Sequence, residues 1–271
     1  MAIFNYNGID LFYEVKGDMN TSKTVVFFNG VMATTNSWDA YWPLFVKMGY
    51  KVVLHDFKGQ LKSDKPSGPY TFKEHCQEAK ALLEYLNISN PHIVGTSYGG
   101  EIAMKYAMLY PENTQSITLI DSVSELDTVL IKFVNSWSDL CDLGDGEKFF
   151  WGMLPSIYGE DYIKANEAFL ERRAKGMNTL PQSYFDGQKI LYDTFINEVT
   201  MTHELHKIQC PTLVICGEDD ILKKPKFSRI IASNIPHAEF MLIPNCGHVA
   251  IFEKPEELKS AILGFVLKLN S

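Results

Sequence analysis

Five residues, Gly95-Thr96-Ser97-Tyr98-Gly99, match the pattern Gly-x-Ser-x-Gly. A serine hydroxyl is a weak nucleophile until it is lifted clear of its surroundings and a base takes its proton. The flanks of this motif suit that task. His92 to Val94 reads as a short strand, and Tyr98 to Tyr110 as a helix stopped by Pro111. A sharp strand-to-helix turn raises the Ser97 hydroxyl above a sheet, and glycines at 95 and 99 leave room where side chains would collide. The turn also sets Ser97 at a helix N-terminus, where developing negative charge is stabilised. Seven histidines, at 55, 75, 92, 203, 206, 237 and 248, are candidate bases. His203 and His206 are three apart, but no third ligand accompanies them, so no metal site is expected.

The elements that must position this turn can be read along the chain. The 271 residues suffice for one large domain, or a domain with an insertion. Apolar residues at 46% and charged residues at 21% give an ordinary globular composition. Lys and Arg total 25 against 33 Asp and Glu, a net charge of −8. That balance argues against nucleic acid or an anionic membrane as partner. Five cysteines form no CxxC pair and are odd in number, so a reducing compartment such as the cytoplasm is expected. Met1 to Gly8 has no basic stretch and no long apolar run, so no signal peptide is expected. Nor is a membrane span, since no run of about 18 apolar residues occurs.

Ile3–Tyr6 and Ile9–Val15 flank an Asn7-Gly8 turn and read as a hairpin. Val25–Phe28, Val52–Leu54, Ile93–Val94, Ile117–Ile120, Thr212–Ile215 and Phe240–Ile243 are short apolar runs, as strands buried on both faces require. Helices fill the gaps. Thr71 and Glu74 form a capping box, and Cys76, Ala79, Leu82, Leu83 and Leu86 then make one apolar stripe. Pro255-Glu256-Glu257 opens a last helix. The alternation predicts an α/β fold, with a mostly parallel sheet of about eight strands flanked by helices. Residues 123–209 break the rhythm. They hold no convincing strand and several helix-like stretches, such as Tyr162 to Lys175, and read as a helical cap inserted into a core of residues 1–122 and 210–271.

With these motifs in this order, nearly the whole chain resembles the α/β-hydrolase superfamily, whose chain order is nucleophile, acid, histidine. The resemblance implies that His248, in Asn245-Cys246-Gly247-His248-Val249, is the general base for Ser97. Relatives read Gly-x-x-Asp after the strand at 212–215. That selects Asp220 in Gly217-Glu218-Asp219-Asp220, with Asp121, after the preceding strand, as the alternative acid. The oxyanion hole falls to the Tyr98 amide and to the Val31 amide after Asn29-Gly30, with Met32 beside it. Relatives usually have His-Gly where this chain has Asn29-Gly30. Trp38 is expected to pack beneath that loop. Asp56-Phe57-Lys58-Gly59-Gln60-Leu61 departs from the usual Asp-x-Arg-Gly-x-Gly, and is expected to be structural.

The resemblance is strongest to small carboxylesterases and 3-oxoadipate enol-lactonases. It implies a serine hydrolase acting on a small-molecule ester or lactone, with no cofactor. Perhydrolase and carbon–carbon hydrolase activities share the same three residues, and a non-turnover signal receptor of the same fold is a further alternative. Chain length, alcohol part and oligomeric state are not legible. Trp137, Trp151, Met153, Leu154 and Phe185 in the insertion, with Met32, are the candidate walls of an acyl pocket.

Overall fold

The strands are β1 (Ala2–Tyr6), β2 (Ile9–Lys16), β3 (Thr24–Phe28), β4 (Lys51–His55), β5 (His92–Thr96), β6 (Ser116–Ile120), β7 (Thr212–Gly217) and β8 (Glu239–Ile243). In the computed structural model, which describes residues 2–269, they form one sheet in the order β1-β2-β4-β3-β5-β6-β7-β8. β1 and β2 are the expected hairpin, turned at Asn7 and Gly8 with φ of 53° and 86°. β2 meets β4 antiparallel, and all later pairings are parallel.

Each inner strand is buried on both faces, so it reads as a continuous apolar run rather than as an alternation. β3 illustrates the division. Val25 and Phe27 enter one hydrophobic cluster, and Val26 and Phe28 enter the other. Helix α1 (Trp42–Lys47) covers the first face through Phe45. Helices α2 (Phe72–Tyr85) and α3 (Tyr98–Leu109) cover the second. The capping box at Thr71 and Glu74 is formed in both directions.

Between β6 and β7 the chain makes five helices: α4 (Thr128–Cys141), α5 (Gly146–Ile157), α6 (Glu160–Ala165), α7 (Glu167–Met177) and α8 (Gln182–Glu198). Among the described residues, 123–209 contain no strand. The expected helix over Tyr162–Lys175 is broken at Asn166, which leaves the helical region at φ −125° and ψ 20°. Its side chain donates to the Tyr162 carbonyl and terminates α6 there. Most of the insertion has no core of its own. Leu130, Trp137, Phe149, Tyr184 and Leu191 join the cluster that holds Tyr98 and Ile102 of α3 and Ile117 and Leu119 of β6. Only Phe150, Leu154, Tyr158, Leu170 and Ala174 form a small separate cluster, between α5 and α7. The fold closes with α9 (Pro225–Asn234), α10 (Ala250–Glu253) and α11 (Pro255–Lys268). Among the described residues no helix is long and apolar enough to cross a membrane.

Candidate active site

Ser97 stands between β5 and α3 with φ 51° and ψ −119°, a conformation that costs an L-residue energy and persists only where its surroundings enforce it. Here they do. A Cβ at Gly95 would overlap the Gly99 carbonyl, and one at Gly99 would overlap the Phe28 carbonyl. Only glycines let β3, β5 and α3 approach so closely. Gly100 and Glu101 donate their amides to the Ser97 carbonyl, which begins the helix.

The imidazole arrives from the loop after β8. Ser97 Oγ lies 3.1 Å from His248 Nε2, and His248 Nδ1 lies 2.8 Å from Asp220 Oδ2. The carboxylate selects the tautomer: Nδ1–H donates to Asp220 and leaves Nε2 free to accept the serine proton. Asp220 is buried, whereas its neighbours Glu218 and Asp219 are exposed. Its Oδ1 accepts the Leu222 and Lys223 amides at 2.9 and 2.8 Å, so both oxygens are held. Lys223 in turn forms a buried ion pair with Glu101 of α3 at 2.8 Å, joining the acid-bearing loop to the serine-bearing helix. Burial raises the Glu101 carboxyl above its ordinary pKa, and Lys223 opposes that rise.

Asp121, the alternative acid, hydrogen-bonds no histidine. Its oxygens accept the Gly217 amide at 2.9 Å and the Ala250 amide at 3.3 Å. Full burial, with Asp220 beside it, pushes its pKa well above the carboxylate range and favours the neutral acid. Asp121 therefore ties β6 to β7 and to α10, while Asp220 faces the imidazole.

The loop after β3 runs past the serine, so close that a Cβ on Gly30 would touch Ser97 and Thr96. Asn29, the departure from the family pattern, is the hub that fixes it. Its side-chain amide donates to the His55 carbonyl, to Asp56 and to Gln60, and its carbonyl oxygen accepts from Trp38 Nε1 at 2.8 Å. Gln60 then donates to the Gly30 carbonyl at 2.7 Å. Trp38 is fully buried against Phe27 and Tyr41. Asp56 accepts the Thr35 and Lys62 amides, and Lys58 pairs with Glu78. The Val31 amide makes no hydrogen bond among the described residues, so it is available to a ligand. The Tyr98 amide lies in the first turn of α3, where a helix leaves its donors unsatisfied.

Ser97 and His248 open into a cavity with mostly apolar walls. Met32, Trp137 and Met153 line it, as does Val31. Trp151, Leu154 and Phe185 do not. The lining residues of α5 are Phe150, Met153 and Ile157, a stripe at three- and four-residue spacing. Trp151 and Leu154 sit one position round the helix, about 100° away. Trp151 is 37% exposed, Leu154 packs on Leu170, and Phe185 packs on Phe149. Sequence reasoning missed Ser37, Tyr158, Arg173 and Phe252, which also line the cavity. His203 and His206 are exposed on the turn Thr202–Lys207, away from these residues. All five cysteines are free thiols, and burial raises each one: Cys210 to about 11, Cys141 to about 12, and Cys76, Cys216 and Cys246 further.

A mostly parallel sheet carrying a serine on a strained turn after β5, with a carboxyl group and an imidazole on the loops after β7 and β8, defines a class of α/β proteins. Residues 23–255 match the family model described as alpha/beta hydrolase fold, and the chain belongs to that family. It is a hydrolase of the α/β fold. It is similar to a proline iminopeptidase of Lactobacillus helveticus (strain DPC 4571), 25% identical over 273 residues, covering 93% of this chain and 92% of that one. Among solved structures it is similar to MGS-M2, an alpha/beta hydrolase enzyme from a Medee basin deep-sea metagenome library. There the TM-score is 0.92 and the identity 29%, over 97% of this chain and 96% of that one. The enol-lactonase from Burkholderia xenovorans LB400 shares the fold at a TM-score of 0.86 and 18% identity, over 98% and 100% of the two chains.

Proposed function

We propose that the protein cleaves a carboxylic ester or lactone through an acyl-enzyme on Ser97. The observation that carries this reading is the continuous relay from Ser97 Oγ through His248 to Asp220, at 3.1 and 2.8 Å. His248 Nε2 takes the hydroxyl proton as Oγ bonds to the carbonyl carbon. The Val31 and Tyr98 amides hold the oxyanion. The carbon–oxygen bond to the leaving group then breaks, and His248 returns the proton to that oxygen. Water, deprotonated by the same imidazole, attacks the acyl carbon and frees Ser97. Asp220 stabilises the imidazolium in both halves. No cofactor enters this sequence.

Residues 123–209 act as a cap, because their side chains share the cavity with Ser97. Excluding water there strengthens the pull of the two amides on the oxyanion. An ester or lactone fits better than a substrate carrying an ammonium group, since among the described residues no Asp or Glu lines the cavity. A fluorophosphonate reagent tests the proposal. Mass spectrometry should find one adduct, on Ser97, and the labelled protein should not hydrolyse p-nitrophenyl butyrate. An adduct on Ser122 with Ser97 unmodified would refute it.

A further inference from the structure

We infer that the substrate carries a carboxylate, on its acyl or its alcohol part, and that Arg173 receives it. This deepens the hydrolase reading and rests on it for the bond that breaks. Arg173 comes from α7 and lines the same cavity as Ser97 and His248. Its guanidinium lies over the Phe252 ring at 5.2 Å and the Phe169 ring at 5.9 Å. Such contacts stabilise the cation without neutralising its charge. Among the described residues Arg173 forms neither an ion pair nor a hydrogen bond.

Two buried cations of the core are treated differently. Lys223 is paired with Glu101 at 2.8 Å, and Lys58 with Glu78 at 2.9 Å. The polar groups near Arg173 include the phenols of Tyr158 and Tyr162, which stack on each other. Burial raises both phenols above their ordinary pKa, so they are neutral and cannot serve as counter-ions. Glu253, the carboxylate beside the same phenols, gives its oxygens to the Gly159 and Gly247 amides and makes no ion pair with Arg173. No acid among the described residues lines the cavity, so an anionic ligand completes the pair. A planar fork of donors fits a carboxylate through two parallel hydrogen bonds. Apolar walls strengthen such a pair beyond its worth at an exposed surface.

The test uses two substrate pairs. Monomethyl adipate against methyl hexanoate exchanges carboxylate for methyl on the acyl part. 6-Acetoxyhexanoate against hexyl acetate does so on the alcohol part. The protein should prefer the anionic member of one pair in kcat/KM. Arg173→Gln should lower that ratio about ten- to a hundred-fold, and Arg173→Lys should restore part of it. Calorimetric titration of monomethyl adipate and 6-acetoxyhexanoate into the Ser97→Ala protein gives a readout that needs no turnover. One of the two should bind, and binding should be lost when Arg173→Gln is added. Preference for the neutral member in both pairs, or ratios that Arg173→Gln leaves unchanged, would overturn the inference while ester turnover upholds the hydrolase reading. Arg173-dependent binding of an anionic ester with no turnover in either pair would do the reverse.

Discussion

The strand ends and the helical insertion contribute to one cavity by different physical means. At the strand ends, Ser97, Asp220 and His248 sit on loops rooted largely in fully buried strands, and each polar atom has a partner near 3 Å. The insertion offers walls: Trp137, Phe150, Met153 and Ile157 supply apolar volume. Its outer faces leave Val129, Leu143 and Trp151 exposed. Hydrogen-bonded chemistry is lost with a displacement of an ångström, whereas an apolar wall can repack. On the proposed reading, the choice of reaction resides in the sheet, and the choice of substrate in the helices. Several contacts cross the divide, two of them close to the catalytic candidates. The Ile157 carbonyl of α5 accepts the His248 amide at 2.8 Å, and Lys223 Nζ lies 4.5 Å from the Phe195 ring of α8.

The largest expected effect breaks the sheet side alone. Ser97→Ala should lower kcat on p-nitrophenyl butyrate on the order of 10³-fold or more, with an unchanged circular dichroism spectrum. Retention of a tenth of the rate would move the chemistry elsewhere. Next comes the pair of acids. Asp220→Asn should cost about 10²–10⁴-fold in kcat, because an amide cannot stabilise the imidazolium. Asp121→Asn should instead lower stability by about 1 kcal/mol in urea titration, since one of its two amide bonds is lost. The opposite ranking in kcat would exchange their roles.

Lys223→Met tests how the sheet side holds its own parts together. Leaving Glu101 buried without its cation should cost about 3 kcal/mol in the same titration. A change too small to resolve would mean that the acid-bearing loop and α3 are held together elsewhere. The smallest effect sharpens the insertion's role. Trp137→Ala and Met153→Ala should alter kcat/KM for hexanoate esters about tenfold while acetate esters change less. Trp151→Ala, outside the cavity, is the comparison. Equal responses at all three positions would show that the insertion does not select by shape.

The same division governs how much was legible in the sequence. Val25–Phe28 and Val52–Leu54 announce buried parallel strands, because burial on both faces removes polar alternation. Ser97 is legible because its turn needs glycines at fixed places. Asp220 and His248 emerge from their position after successive strands, not from any local signal. The cavity walls were only half legible. Helix α5 is apolar on several sides: Phe149 meets Phe185, Phe150 and Met153 meet the cavity, and Leu154 meets Leu170. A periodicity argument needs one polar face to set the phase, and α5 has none facing its neighbours. Arg173 escaped notice for a related reason. It lies three residues after Leu170 and one before Ala174, beside the buried stripe of α7, where a charged residue reads as solvated surface. The short α1, α9 and α10 were also missed, since few residues carry each pattern.

The buried thiols bear on how the protein can be handled. A cysteine is ordinarily a stronger nucleophile than a serine, and five of them would normally compete for any electrophile. Here each thiol is held un-ionised at neutral pH, and the thiolate is the form that alkylates and oxidises. Iodoacetamide should therefore leave Cys76, Cys141, Cys216 and Cys246 of the folded protein unmodified, with half-buried Cys210 the first to react. Unfolding would release the four buried thiols together. Their reactivity then becomes a clock for opening of the core, readable on the same sample in which a serine-directed reagent counts intact active sites.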